Sequence, residues 1–419
     1  MTNTTHDEHH HSEARWTTHQ TRARADNLVG GLSTLTVLNL TRGDWLRPMS
    51  SILRTFVLVT IALPVVHLRP DAPAAQDRCS TAYPTRERAR PDRGSADVKA
   101  ITQNRYGSAE VLELRDIDPP TASDHEVVIR VHAAGLARGV LHVMTGEPYL
   151  MRLMGFGLVK PKNPVLGMDV AGTVTETGTQ VTRFKVGDEV FGIAKGSYAE
   201  YAAAPEDKLA LKPKSLTFEQ AAAMGISGLT ALRALDVARV AAGSSVLVVG
   251  ASGGVGTYAV QIAVAMGATV TGVASGSKAD LVTSLGAEHV IDYTQENFAD
   301  GDHRYDVVLD VGGMTSVSHL RRALTPKGTL VIVGGESGSK WSPGMGRQLN
   351  AAALSPFVAQ RLVSVLNKEH YSGLERLAEL ATAGQVAPRV EQSYPLAQVP
   401  DAIRRLKAGS IRGQVVITI

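Results

Sequence analysis

Residues 245–271 constrain the fold of this chain more than any other stretch, because they read as a buried strand, a glycine-rich turn and a helix in immediate succession. Val246, Leu247, Val248 and Val249 form a continuous apolar run, the pattern of a parallel strand covered on both faces. Gly250, Gly253, Gly254 and Gly256 follow within seven residues, interleaved with Ala251, Ser252 and Val255. Ala259, Ile262, Ala263 and Met266 then recur at helical spacing. One face of that helix packs on a sheet while its amino end directs backbone N–H groups above the turn. A dinucleotide pyrophosphate is the usual occupant of such a unit. The spacing fits no register of GxGxxG, but a second strand-like run at residues 269–274 supplies the βαβ context that gives the glycines their weight.

Apolar runs at residues 306–311 and 329–333, separated by a helical stretch at 316–324, continue the alternation of a doubly wound parallel sheet. They close on Val311-Gly312-Gly313 and Val333-Gly334-Gly335, at the strand ends where open α/β sheets bind ligands. Upstream, short β-branched runs at 126–131, 170–176 and 188–191 are divided by turn residues such as Asp118-Pro119-Pro120 and Gly187-Asp188. They predict a smaller β-rich domain beside the Rossmann-type one, so the expected class is α/β with two domains.

The exit of the second strand bears on cofactor choice. A site for NAD places an acid there, roughly 20 residues past the glycines, to hold the ribose 2′-OH, whereas a 2′-phosphate needs a cation. This chain has Val273-Ala274-Ser275-Gly276-Ser277-Lys278, with no acid, a hydroxyl and a cation, which points to NADP(H).

The turn and Gln261 after it resemble the quinone oxidoreductase branch of the medium-chain dehydrogenase/reductase family, and the resemblance runs from Val98 to Ile419. It implies a GroES-like catalytic domain at 98–222, a Rossmann NADP-binding domain at 223–364 and a return to the catalytic domain at 365–419, ending in a strand at 412–417. Gln414 in that strand stands where the family more often has Lys, and a structural role is expected for it. The resemblance further implies that Gly250, Ser252, Gly253, Gly254, Val255 and Gly256 hold the cofactor, that Ser275, Lys278 and Tyr293 bind its 2′-phosphate, and that Val311, Gly312, Val333 and Gly334 approach its nicotinamide half. Thr230 matches a threonine that touches the nicotinamide ribose, a role at a helix amino end being the other reading. A homodimer is the family expectation.

Many relatives are zinc alcohol dehydrogenases, which take the catalytic ion on about three Cys, His or acidic ligands. No cysteine occurs after Cys79, and Gly167-Met168-Asp169 replaces the Gly-His-Glu of the zinc enzymes. A thioether does not replace an imidazole on zinc, and His132 and His142 are the remaining candidates. The expectation is a metal-free enzyme, for which hydride addition to a quinone or an α,β-unsaturated carbonyl is easier than alcohol oxidation, because the arriving charge delocalises onto oxygen. Relatives often carry Asn-Pro-x-Asp beside the substrate; here the stretch is Ala137-Arg138-Gly139-Val140, so those polar roles do not transfer. The long apolar segment at 145–157 is expected to form a pocket wall or lid, with Tyr149 as candidate proton donor. The alternatives are a zinc-free alcohol or aldehyde dehydrogenase and a noncatalytic NADPH-binding protein.

Charge excludes little beyond nucleic acid: the whole chain is +3, and from residue 98 onward it carries 31 basic against 30 acidic residues. Residues 1–97 differ, with twelve arginines, no lysine and a His9-His10-His11 cluster. They are expected to be a disordered tail or a start-site artefact, Val98 marking the true start. A leader is the third reading, because the apolar run at 55–66 is too short to span a bilayer but follows Arg54. A small-molecule substrate, a cytoplasmic location and no membrane association are expected.

Overall fold

A computed structural model describes residues 97–335, 345–365 and 369–419. The expectations for residues 1–97 lie outside the described residues except for Asp97.

The parallel sheet is built from β8 (Ser245–Val249), β9 (Thr269–Ala274), β10 (His289–Asp292), β11 (Tyr305–Asp310), β12 (Leu324–Ile332) and β13 (Arg361–Ser364). Its order is β10-β9-β8-β11-β12-β13, so the glycine-bearing strand is central and the chain winds outward from it in both directions. The alternation of side chains explains the unbroken apolar run: Val246 and Val248 join one core with Val307, Leu309 and Val331, while Leu247 and Val249 join another with Val308, Leu330 and Ile332.

The second sheet contains β3 (Glu126–Gly135), β4 (Asp169–Thr177), β5 (Glu189–Ile193), β6 (Tyr201–Pro205), β7 (Leu209–Leu211), β14 (Val390–Pro395) and β15 (Gln414–Thr418). Its order is β14-β15-β3-β4-β5-β7, with β6 also paired to β3. The strands β1 (Val98–Thr102) and β2 (Glu113–Ile117) form an antiparallel pair of their own. The fold is therefore a mixed, largely antiparallel domain and a Rossmann-like parallel one, and the chain's last strand completes the mixed sheet.

Two boundaries differ from the sequence reading for the same reason. β3 runs to Gly135 rather than 131 because Ala133, Ala134 and Gly135 pair with β15. β12 begins at Leu324 rather than 329 because Leu324 pairs with Tyr305, which also ends the preceding helix at Arg322. In both cases a distant strand decides the boundary, and local propensity carries no trace of it.

The helices Gly225–Ala238 and Gly254–Ala265 fill the core between the sheets, sharing it with Ala133, Ala171, Phe191 and Val416 of the catalytic domain. Asp169, at the start of β4, accepts the N–H of Ile226 in the first turn of the helix Gly225–Ala238. This carboxyl is only 3% exposed. Burial pushes it up to about 7, the Ile226 N–H pulls it down, and the charge of Glu369 pushes it up again. The folded state therefore holds a proton that the unfolded chain releases near pH 4, and the stability from this group is lost as pH rises through about 7. Asp169→Asn keeps the acceptor without the charge. Its stability relative to the parent should be about 2–3 kcal/mol more favourable at pH 8 than at pH 5 by denaturant unfolding. An equal difference at the two pH values would mean that Asp169 is ionised throughout.

Candidate active site

The glycine turn is held by its neighbours on both sides. Gly250 has a φ of 89°, and its N–H and that of Ala251 donate to the Val273 carbonyl at the end of β9, each at 3.1 Å. A Cβ on Gly256 would lie 2.1 Å from the Gly250 carbonyl, so only glycine lets the first helical turn settle against the strand end. Gly253 is the amino cap of the helix Gly254–Ala265, and no side chain caps it. The N–H groups of Gly254, Val255 and Gly256 are those no helical carbonyl can reach, and they suit an anion. The strand ends beside the turn follow the same pattern: Val311 and Gly312 both donate to Val249, and Val333 and Gly334 both donate to Asp310, all at 3.0 Å. Added Cβ atoms at Gly253 and Gly312 would meet protein no closer than 3.5 and 3.8 Å, which leaves room along the line of turns for a dinucleotide. The residues named from the sequence thus lie along the carboxyl edge of one sheet, and their arrangement fits a nicotinamide dinucleotide.

Two neighbours of this edge were not apparent in the sequence. The fully buried Asp310 accepts from Arg347 and from the Gly313 N–H at 3.2 Å. Burial pushes its carboxyl up, and the bond and charge of Arg347 oppose that. Arg347 also donates to the Gly334 carbonyl at 3.3 Å, so one guanidinium ties the helix Met345–Leu354 to the ends of β11 and β12. The catalytic domain contributes Gln414, whose amide donates to the Gly254 carbonyl at 2.8 Å, and Gly413, whose N–H donates to Ser252 at 3.0 Å.

At the exit of β9 the structure brings Ser275 and Tyr293 together, since the Tyr293 N–H donates to Ala274 at 3.2 Å and its side chain is 61% exposed. The Ser275 hydroxyl lies 3.2 Å from that of Ser277. Lys278 is half-buried, and its ammonium donates to the carbonyls of Gly409 at 3.0 Å and Ile411 at 2.8 Å. Burial pushes the Lys278 pKa down, Glu391 pulls it up, and the nearby cations Arg412 and Arg138 push it down. An acid also reaches this corner from another strand: a Cβ on Gly276 would lie 2.5 Å from the Asp292 carboxylate, which accepts the N–H and hydroxyl of Thr294 at 3.0 and 2.8 Å. The strand exit itself carries no acid, but its surroundings do.

On the substrate side, the Thr230 hydroxyl donates to Ile226 at 2.7 Å within its helix. Tyr149 opens a single helical turn, Tyr149–Met151, and the Arg152 guanidinium lies 4.5 Å from its ring and 4.3 Å from that of Tyr106. Arg152 is fixed by the carbonyls of Gly146 and Thr145 at 2.9 and 3.2 Å, so the start of the expected lid is braced rather than loose. Ala137 and Val140, the apolar ends of the stretch Ala137-Arg138-Gly139-Val140, are buried.

The residues present do not fit a catalytic zinc. Met168 packs against both neighbouring cores and Asp169 caps a helix. His132 bonds the Thr173 hydroxyl at 3.1 Å, and His142 the Glu147 carbonyl at 2.9 Å. No three His, Cys, Asp or Glu groups suited to a metal come together among the described residues.

Comparison with known proteins agrees with this geometry. The family described as alcohol dehydrogenase GroES-like domain matches residues 123–214, and that described as zinc-binding dehydrogenase matches 285–417. Human quinone oxidoreductase is 33% identical over 328 residues, covering 76% of this chain and 96% of the relative. The chain belongs to the quinone oxidoreductase-like branch of the medium-chain dehydrogenase/reductase family. Another member of that family, the 2-methylene-furan-3-one reductase of Solanum lycopersicum, is 33% identical over 338 residues, covering 77% of this chain and 79% of its own length. Among solved structures, that of Escherichia coli quinone oxidoreductase complexed with NADPH superposes with a TM-score of 0.66 at 25% identity, covering 77% of this chain and all of the other. As a family member the chain is an oxidoreductase that works with a nicotinamide cofactor.

Proposed function

We propose that this oxidoreductase uses NADPH to reduce quinones or α,β-unsaturated carbonyls, and that it does so without a metal. The observation that carries the reading is the fate of Met168 and Asp169: the pair that would ligate zinc in an alcohol dehydrogenase is here a packing residue and a buried helix cap, beside an intact dinucleotide edge. Without a Lewis acid an unactivated ketone or alcohol lacks stabilisation for its developing alkoxide, whereas a conjugated acceptor spreads the charge over its own atoms. Relatives named for quinone and furanone reduction support this substrate class.

When bound, the cofactor supplies a hydride from its nicotinamide. The chain's own residues do the rest. The amino end of the helix Gly254–Ala265 receives the pyrophosphate, and the turns at Val311-Gly312 and Val333-Gly334 hold the nicotinamide end. Ser275, Lys278 and Tyr293 would receive the 2′-phosphate, with Arg138 near the same corner and Arg412 there paired to Asp280. The ammonium of Lys278 has three protons, two of them committed to Gly409 and Ile411, which aims the third. Tyr149, which has the Arg152 cation over its ring, is the candidate proton donor to the reduced acceptor.

Lys278→Ala should weaken NADPH binding by roughly ten- to a hundredfold and change NADH binding little, measured by nucleotide fluorescence titration. Equal weakening of both would assign Lys278 to holding the 409–411 loop alone. Purified enzyme dialysed exhaustively against chelator should oxidise NADPH with a quinone or an enal and turn over saturated ketones and primary alcohols far more slowly. Tyr149→Phe should lower that rate by about tenfold or more with NADPH affinity retained. Efficient alcohol oxidation with no quinone or enone turnover would contradict the proposal.

A further inference from the structure

We propose that residues 153–162 form a docking surface for an anionic lipid bilayer. This stretch concentrates apolar side chains in water: Leu153 is 70% exposed, Phe156 42%, Leu158 64% and Val159 86%. The backbone around them is closed and braced. The Lys162 N–H donates to the Phe156 carbonyl at 2.8 Å, and the Tyr106 hydroxyl shares its proton between the carbonyls of Phe156 at 2.9 Å and Gly157 at 2.7 Å. Pro161 is buried beneath the loop. The apolar side chains are thus held outward by a formed structure, which a hydrophobic loop free to collapse would not do.

Charge identifies the occupant. Residues 148–168 contain Arg152, Lys160 and Lys162 and no Asp or Glu, and both lysines are exposed beside Leu158 and Val159. An apolar tip flanked by lysines matches the boundary between acyl chains and anionic headgroups, where the tip leaves water and each lysine meets phosphate. A second copy of this chain meeting the loop across a two-fold axis would bring Lys160 and Lys162 against their own counterparts. Docking of this kind needs no spanning helix, and none of the described helices is long and apolar enough to be one. It departs from the absence of membrane association expected from the sequence, because the apolar residues and lysines there divide between a short helical turn, Arg152–Phe156, kinked at Gly155, and the bend after it, so no regular period marks them.

The position has a consequence for substrate. The helix Gly139–Thr145, where a Cβ on Gly139 would lie 3.3 Å from the Met168 side chain, runs about 10 Å to the segment that carries the loop. Resting on the proposed quinone reading, a docked loop would set the Gly139 end of that helix toward the layer in which long-chain quinones partition.

The test is co-sedimentation of the full chain with vesicles of phosphatidylcholine alone and with about 30% phosphatidylglycerol. Two double variants are compared, Leu158→Glu with Val159→Glu and Lys160→Gln with Lys162→Gln. The parent should bind the phosphatidylglycerol vesicles more strongly, and each variant pair should lower the partition coefficient by about tenfold or more. Melting temperature and turnover of a water-soluble quinone or enal should stay at parent values, which separates docking from folding and from the catalytic reading. No binding to anionic vesicles, or binding that survives both variant pairs and so resides elsewhere in the chain, would overturn the proposal. Sedimentation velocity showing that the variants dissociate a dimer, without vesicle binding by the parent, would assign the surface to a second copy instead.

Discussion

The arrangement of the site depends on where the last strand of the chain meets the glycine turn. β15 pairs with β3 in the catalytic sheet, while Gly413 and Gln414 at its start donate to the carbonyls of Ser252 and Gly254. Just before it, the carbonyls of Gly409 and Ile411 accept the ammonium of Lys278 from the far end of the nucleotide unit. One short segment therefore touches both ends of the βαβ unit and the sheet that faces it. The spacing between the glycine turn and the catalytic sheet is thus held by one backbone hydrogen bond, Gly413 to Ser252, and by the side chains of Gln414 and Lys278 on backbone carbonyls.

A second consequence concerns a motif whose residues have changed roles. In a zinc alcohol dehydrogenase, a histidine and a glutamate stand at the positions of Met168 and Asp169. Here the thioether fills space between two cores, and the carboxyl is enclosed against the helix Gly225–Ala238 with its proton retained to about neutral pH. A buried acid at this joint couples the catalytic sheet to the helix that packs on the nucleotide domain, and in the proposed mechanism the chemistry passes to the substrate's own conjugation.

Much of this was legible in the sequence where the signal was local. The run Val246 to Val249, the glycines after it and the strand Thr269–Ala274 fall where the pattern put them, because burial on both faces and a close helix approach restrict residue type at each position. The neighbours were not legible. Asp310 and Arg347, 37 residues apart, carry no mutual signal, and neither do Lys278 and its carbonyl partners 131 and 133 residues away. Asp292 escaped notice because the acid rule looks along one strand, whereas Asp292 arrives from the next one. Tyr149 was singled out for its hydroxyl, yet its ring contact with Arg152, which also lies over Tyr106, depends on a turn geometry that no periodicity encodes.

The central claim is a direct hydride transfer to a conjugated carbon, supported by protein groups alone. Isotope tracing tests it most directly: NADPH deuterated at the nicotinamide C4, on each face in turn, is given to chelator-treated enzyme with an enone, and the product is analysed by mass spectrometry and NMR. The account predicts one deuterium at the β-carbon from one face only, at the same rate with and without chelator. A product free of deuterium at that carbon, or transfer that stops when metal is removed, would contradict it.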